Sequence, residues 1–132
     1  MHRTTWVAQI ILGVYFVAIG VLHFVVPEGL PDPLAWMYEL SDALHYLSGA
    51  AEILGGLGLI LPGITRIKPV LTPLAAAGLT LLMLLAAAWH VPRGEGQNIV
   101  TNLVLAGVLA LVGYVRWRRQ PLEPRSSDTA GG

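Results

Sequence analysis

The chain has no cysteine. Disulfides, iron–sulfur clusters, thiol redox chemistry and lipidation at cysteine are thereby excluded. Charge is also scarce, at 12% of 132 residues, against 55% hydrophobic. A soluble domain carries about 25% charged residues, so half of the usual polar surface is missing. Lys and Arg number 8, as do Asp and Glu, so the net charge is zero. That balance argues against a nucleic-acid partner. There is no His-x-x-His or Glu-x-x-His pair, no glycine-rich phosphate loop and no paired nucleophile and base. A metal or haem site built from His23, His45 and His90 therefore has little support, although imidazoles suit Zn, Cu or Fe. Strand-like alternation of apolar and polar residues, the mark of a membrane β-barrel, is absent, and no internal repeat is visible.

What is present is four apolar runs, at about 5–26, 44–61, 70–89 and 99–117. Pro27, Pro62-Gly63, Pro92-Arg93-Gly94 and Arg118-Arg119-Gln120-Pro121 end them. About 20 residues of helix, rising 1.5 Å each, cross the hydrocarbon of a bilayer. Helices are required there because each segment must satisfy its own backbone N–H and C=O groups. The first run is too long for the apolar core of a cleaved signal peptide, and no small-x-small site follows it before Pro27; it reads as a retained span. The expected architecture is all-α: a polytopic membrane protein, an antiparallel four-transmembrane-helix bundle over residues 1–120 with a disordered cytoplasmic tail over 121–132.

Orientation follows from Lys and Arg. Arg3, Arg66, Lys68, Arg116, Arg118, Arg119 and Arg125 fall on one side, and Arg93 alone on the other. Both termini are expected to be cytoplasmic. Trp6, Trp36, Trp89 and Trp117 lie near span ends, as an aromatic belt requires. The basic stretch around Arg116 reads as a topology anchor. The longest connection, 27–42, holds Pro27, Pro31, Pro33 and four acids, and faces outward. Its middle, 34–40, suits a short interfacial helix, with Asp32 as cap and Pro33 in the first turn.

Alternating spans place His23, His45, His90, Asn98 and Asn102 at the outer leaflet. Glu52 lies seven residues beyond His45, about 10 Å deeper and on the same helical face. Ser48 stands between them. A charge at that depth costs on the order of 3 kcal/mol, so Glu52 needs a partner or a task. In a structural reading, Glu52 is protonated and bonded to Ser48, Asn102 or a carbonyl. His90, and similarly His23 and His45, anchor the interface. Asn98 caps the fourth helix, and Gly49, Gly55, Gly56 and Gly58 let helices approach closely. In a functional reading, Glu52 with His45 or His90 is a protonatable pair lining a lipophilic pocket, suited to a quinone-like or sterol-like ligand. A third reading makes Glu52 the carrier site of a small transporter protomer, which would need an oligomer. A fourth is a non-enzymatic scaffold that binds a membrane or extracytoplasmic protein through the acidic loop. The preferred partner of Glu52 is His45 or Asn102, and the candidate ligand-binding set is Glu52, His45, Ser48, His90, Asn102 and His23.

The run HYLSGAAEILGGLGLILPGIT from His45, the segment LTPLAAAGLTLLMLLAAAWHVPRGEG, Asn102-Leu-Val-Leu followed by Tyr114-Val-Arg116, and Leu22-His23-Phe24 before Pro27 together resemble the DoxX-like family of small bacterial four-helix membrane proteins. The pattern Gly-x-x-Glu-x-x-Gly-Gly-x-Gly-Leu at 49–59 and the Ala-rich third span ending in His90 are its most specific parts. The resemblance covers nearly the whole chain except the tail. It implies a four-helix bundle in a bacterial inner membrane. It also implies an accessory role beside quinone chemistry, since the name-giving relatives are small subunits of a thiosulfate:quinone oxidoreductase and terminal quinol oxidase, and others are linked to oxidative stress. His23, Glu52, His90 and Asn102 match its positions. The lack of cysteine disfavours direct sulfur chemistry.

Overall fold

A computed structural model describes residues 2–125 of the chain. It consists of α1 (His2–Val25), a 3-10 helix (Asp32–Tyr38), α2 (Asp42–Thr65), α3 (Leu71–His90) and α4 (Gly96–Tyr114), which runs on into a π-helical turn (Val115–Arg119). No strand occurs among the described residues. All four long helices are long and apolar enough to cross a membrane.

The helices share one core: Leu12 and Phe16 of α1, Leu59 of α2, Ala76, Leu79 and Met83 of α3, and Ala106, Leu109 and Val112 of α4. Apolar side chains cover most of the outside as well. Lipid gives no hydrophobic drive between helices, so close packing has to hold them. Two glycine pairs provide it between α1 and α2. A Cβ on Gly56 would stand 2.6 Å from the Gly13 carbonyl oxygen, and one on Gly49 2.9 Å from that of Gly20. The two backbones touch at both points. Between α2 and α3, the space of a Gly55 side chain is filled by Leu79, and that of Gly58 by Ala75.

Pro62 lies inside α2, where it has no N–H for the carbonyl four residues back. That carbonyl belongs to Gly58, and the buried Thr72 hydroxyl donates to it at 3.0 Å. The proline and the hydroxyl that makes up for its missing N–H sit on different helices.

The expected helix at 34–40 is a tighter 3-10 helix beginning at Asp32, with Pro31 rather than Asp32 in the cap position. The first available amide, Leu34 N–H, bonds the Pro31 carbonyl at 2.8 Å, and Pro33 has none to offer, so Asp32 has no donor to cap. Similarly, Asn98 does not cap α4. Glu95 occupies that position, and Asn98 lies within the first turn.

The tail departs from its expectation over the residues described. Leu122 is buried, Arg125 N–H donates to the Arg66 carbonyl at 2.9 Å, and Arg66 Nη1 donates to the Glu123 carbonyl at 2.8 Å. This segment lies back against the end of α2 because Gly63 leaves room for Leu122 and Trp6. The remainder, 126–132, lies outside the described residues.

Candidate functional site

A cavity of about 660 Å³ opens among the four helices at the end where α1 and α3 finish and α2 and α4 begin. The 3-10 helix roofs it with Pro33, Leu34 and Trp36. Its walls are apolar: Phe16 and Ile19 from α1, Leu44 and Leu47 from α2, and Leu82, Met83 and Leu85 from α3. Into this lining project His23, Ser48, Glu52, His90, Asn98 and Asn102. Five of the six residues proposed from sequence therefore meet at one cavity, and the sixth, His45, supports them from behind.

Glu52 is 4% exposed and His23 3%. His23 Nε2 stands 3.6 Å from Glu52 Oε2. This corrects the expected partner. His45 and Glu52 share a face of α2, but seven residues of rise separate them by about 10 Å. His23 reaches Glu52 from the neighbouring helix at the same level, where the Gly20–Gly49 contact draws α1 against α2. Asn102 lines the same cavity without bonding Glu52. The separation of 3.6 Å exceeds a hydrogen bond, and Glu52 Oε2 has no hydrogen-bond partner among the described residues.

Behind His23 runs a fixed chain. His23 Nδ1 lies 2.9 Å from His45 Nδ1, and His45 Nε2 lies 2.7 Å from the Met37 carbonyl oxygen. A carbonyl only accepts, so His45 Nε2 carries the hydrogen. In a neutral His45, Nδ1 then accepts, which makes His23 Nδ1 the donor. His23 is left with Nε2, the nitrogen that faces Glu52. Met37, buried in the roof, thus sets the tautomer of two imidazoles.

His90 is also buried, contrary to interface anchoring. Its Nδ1–H donates to Glu95 Oε1 at 3.0 Å. Its ring packs edge-on against Trp36, 5.2 Å between centroids, and against Trp89. Glu95 also takes Arg93 Nε–H at 2.7 Å, and Arg93 in turn pairs with Glu39 of the loop and covers the Trp89 ring. The His90 hydrogen bond, with Arg93 beside it, holds the Glu95 carboxyl below the usual carboxylate range. The roof is thus tied to the α3–α4 connection by charge and aromatic packing. Among the described residues, no group of three His, Cys, Asp or Glu is arranged to hold a metal ion.

A second polar cluster, which sequence reasoning missed, lies at the other end. Gln9 is fully buried and Arg116 is 2% exposed. Arg116 Nε–H donates to Gln9 Oε1, and Gln9 Nε2 donates to the Leu59 carbonyl at 2.8 Å. Arg116 Nη1 donates to the Gln120 carbonyl at 3.0 Å, and its guanidinium lies over Trp6. Thr5 Oγ1 donates to Gln120 Oε1 at 2.9 Å. The available signal was Gln9 itself, the single amide inside the first apolar run. Arg116 is a buried bridge rather than the surface anchor its basic neighbours suggested.

Four apolar helices around a cavity with a buried carboxyl define a multi-pass membrane protein with an internal polar site. The model of the DoxX-like family matches residues 7–112, most of the chain, and the protein belongs to that family. No curated protein and no solved structure matches it.

Proposed function

We propose that this protein binds a lipophilic molecule with a polar head, a quinone or a compound of similar shape, within the cavity beneath Trp36. It would act as an accessory subunit in membrane redox metabolism or the response to oxidative stress. The observation that carries the reading is Glu52: a buried carboxyl oxygen without a hydrogen bond among the described residues, on a residue that lines a largely apolar cavity of about 660 Å³. Ligand pockets span about 300–1,000 Å³ and are apolar with a few placed polar groups. An intramembrane acid kept without a bonded partner is expensive, and a ligand that bonds it supplies what the protein leaves open. The residues present serve binding and proton exchange, so electron transfer would fall to a partner subunit.

In the same proposal the helices form an antiparallel bundle in a bacterial inner membrane, with both termini cytoplasmic. Support comes from the contacts of α1 with α2, where Gly13 meets Gly56 and Gly20 meets Gly49, and from the excess of Lys and Arg around Arg3, Arg66 and Arg118. The cavity then opens near the extracytoplasmic face, under the acidic loop. A scaffold role for that loop is less favoured, because Met37 and Trp36 turn inward and Glu39 is engaged by Arg93.

The test is extraction of lipids from protein purified in its native membrane, with native mass spectrometry of the complex. A stoichiometric lipophile should accompany the wild type and be lost from Glu52→Gln. Protein that carries no lipophile, and gains none when quinone is added, would overturn the reading.

A further inference from the structure

We infer that the gap between Glu52 and His23 is a hydroxyl-binding site, so that the preferred ligand is a lipophilic alcohol or phenol rather than a molecule whose head carries acceptors alone. This rests on the reading that the cavity holds a lipophilic ligand, and it narrows that reading to a head that bears a hydroxyl: of a quinone and its reduced form, the quinol is the one the gap prefers.

Three observations carry it. The first is distance. His23 Nε2 and Glu52 Oε2 are 3.6 Å apart, too far to bond each other but close enough for one oxygen to reach both at about 2.8 Å. The second is isolation. Both groups are buried, Glu52 Oε2 is unbonded, and an unmade hydrogen bond in an apolar site is costly.

The third is the donor and acceptor pattern. The Met37 carbonyl and the two histidines commit His23 Nδ1, leaving Nε2 toward Glu52. When the pair holds one proton, it is neutral overall in either placement. With the proton on Glu52, the carboxyl donates and Nε2 accepts. With the proton on His23, Nε2–H donates and the carboxylate accepts. A proton passed on to His45 reverses the Nδ1 bond, which again leaves Nε2–H as donor. In each of these one-proton placements the gap offers one donor and one acceptor. A hydroxyl answers both, since it donates one hydrogen bond and accepts others. An ether or carbonyl oxygen answers only the donor, and an ammonium only the acceptor. With no proton the gap offers two acceptors, and a hydroxyl still supplies a donor that an ether cannot.

The surroundings agree. The titratable groups around the gap are Tyr15 and His23 from α1, Glu52 from α2 and His90 from α3, with His45 of α2 behind His23; α4 contributes the neutral Asn98, Thr101 and Asn102. Among the described residues no lysine or arginine lines the cavity, so an anionic phosphate head meets no fixed cation from them. Phe16, Ile19, Leu82 and Met83 line the cavity and suit the apolar body of the ligand.

The test uses the full chain in phosphatidylcholine nanodiscs and two probes, para-decylphenol and its methyl ether. Binding is read from tryptophan fluorescence against empty nanodiscs. The phenol should bind the wild type at least about tenfold more tightly, the factor lost with roughly one hydrogen bond. Glu52→Gln and His23→Phe should each bring the two probes within about twofold. Using both variants guards against one that fails to fold, and Thr5→Val at the far end should keep the wild-type preference. Equal binding of both probes by the wild type overturns the hydroxyl site and leaves the lipophile pocket standing. So does a tenfold preference that survives in a folded Glu52→Gln. Absence of binding by either probe overturns the pocket as well.

Discussion

The two ends of the molecule bury polar groups in different ways. At the arginine end, Arg116, Gln9, Gln120 and Thr5 bond one another and the Leu59 carbonyl. At the histidine end, a chain of bonds from Met37 through His45 to His23 stops short of Glu52. One cluster knits its side chains to one another and to the Leu59 and Gln120 carbonyls. The other is supported on one side and open to a cavity on the other. Buried polar groups in a membrane protein are therefore not equally suggestive of function: Glu52 is the informative one because it lines a cavity of about 660 Å³ and stands 3.6 Å from His23.

The contrast is open to test, beginning with the largest effect. Gln9→Leu should cost on the order of 3 kcal/mol, because it removes the acceptor of a buried guanidinium; thermal unfolding in detergent would show it, with ligand binding unchanged in the protein that remains folded. Gly56→Ala should cost about 2 kcal/mol, since its Cβ meets the Gly13 backbone oxygen rather than a side chain that can turn away. Gly107→Ala, with nothing within 4 Å of its Cβ, should be neutral or stabilising by up to about 1 kcal/mol in the same assay. Thr72→Val should cost about 1 kcal/mol by leaving the Gly58 carbonyl, already deprived of a donor by Pro62, unbonded.

Glu52→Gln is the counterpart of Gln9→Leu. Unfolding should show it neutral or slightly stabilised, since a buried carboxyl left without a hydrogen bond is replaced by a neutral amide, while co-purified lipophile disappears. Equal losses of stability from both substitutions would erase the distinction between the ends. The smallest effect belongs to Glu95. Its carboxyl is held below the usual range by His90 and Arg93, so its contribution is present above the carboxylate value of 4.5 and is lost as pH falls through the lowered one. The melting midpoints of wild type and Glu95→Gln should differ slightly at neutral pH and converge in acid.

Much of this was legible along the chain. Apolar runs bounded by Pro27, Pro92 and Pro121 marked helices, whereas Pro62, expected to end the second run, lies inside α2, which continues to Thr65. Span alternation brought His23, His45, His90, Asn98 and Asn102 to one end, because a residue's height follows from counting 1.5 Å per residue. Glu52 stood out because it is the only charge in its run. Legibility failed where a side chain's partner lies on another helix. His45 shares a face with Glu52 in sequence, yet His23 is its neighbour in space. Gln9 gave little sign of being buried with Arg116, 107 residues away.

Hydropathy and proline placement by themselves determined four membrane helices and the end at which the polar residues gather, since both depend on composition and on rise along one helix. The tertiary structure decided which polar groups are satisfied. That depends on how far α1 and α2 approach, which the contacts of Gly13 with Gly56 and Gly20 with Gly49 set, and on the rotation of each helix about its axis. Differences of an ångström there separate a bonded pair from the open 3.6 Å gap between His23 and Glu52.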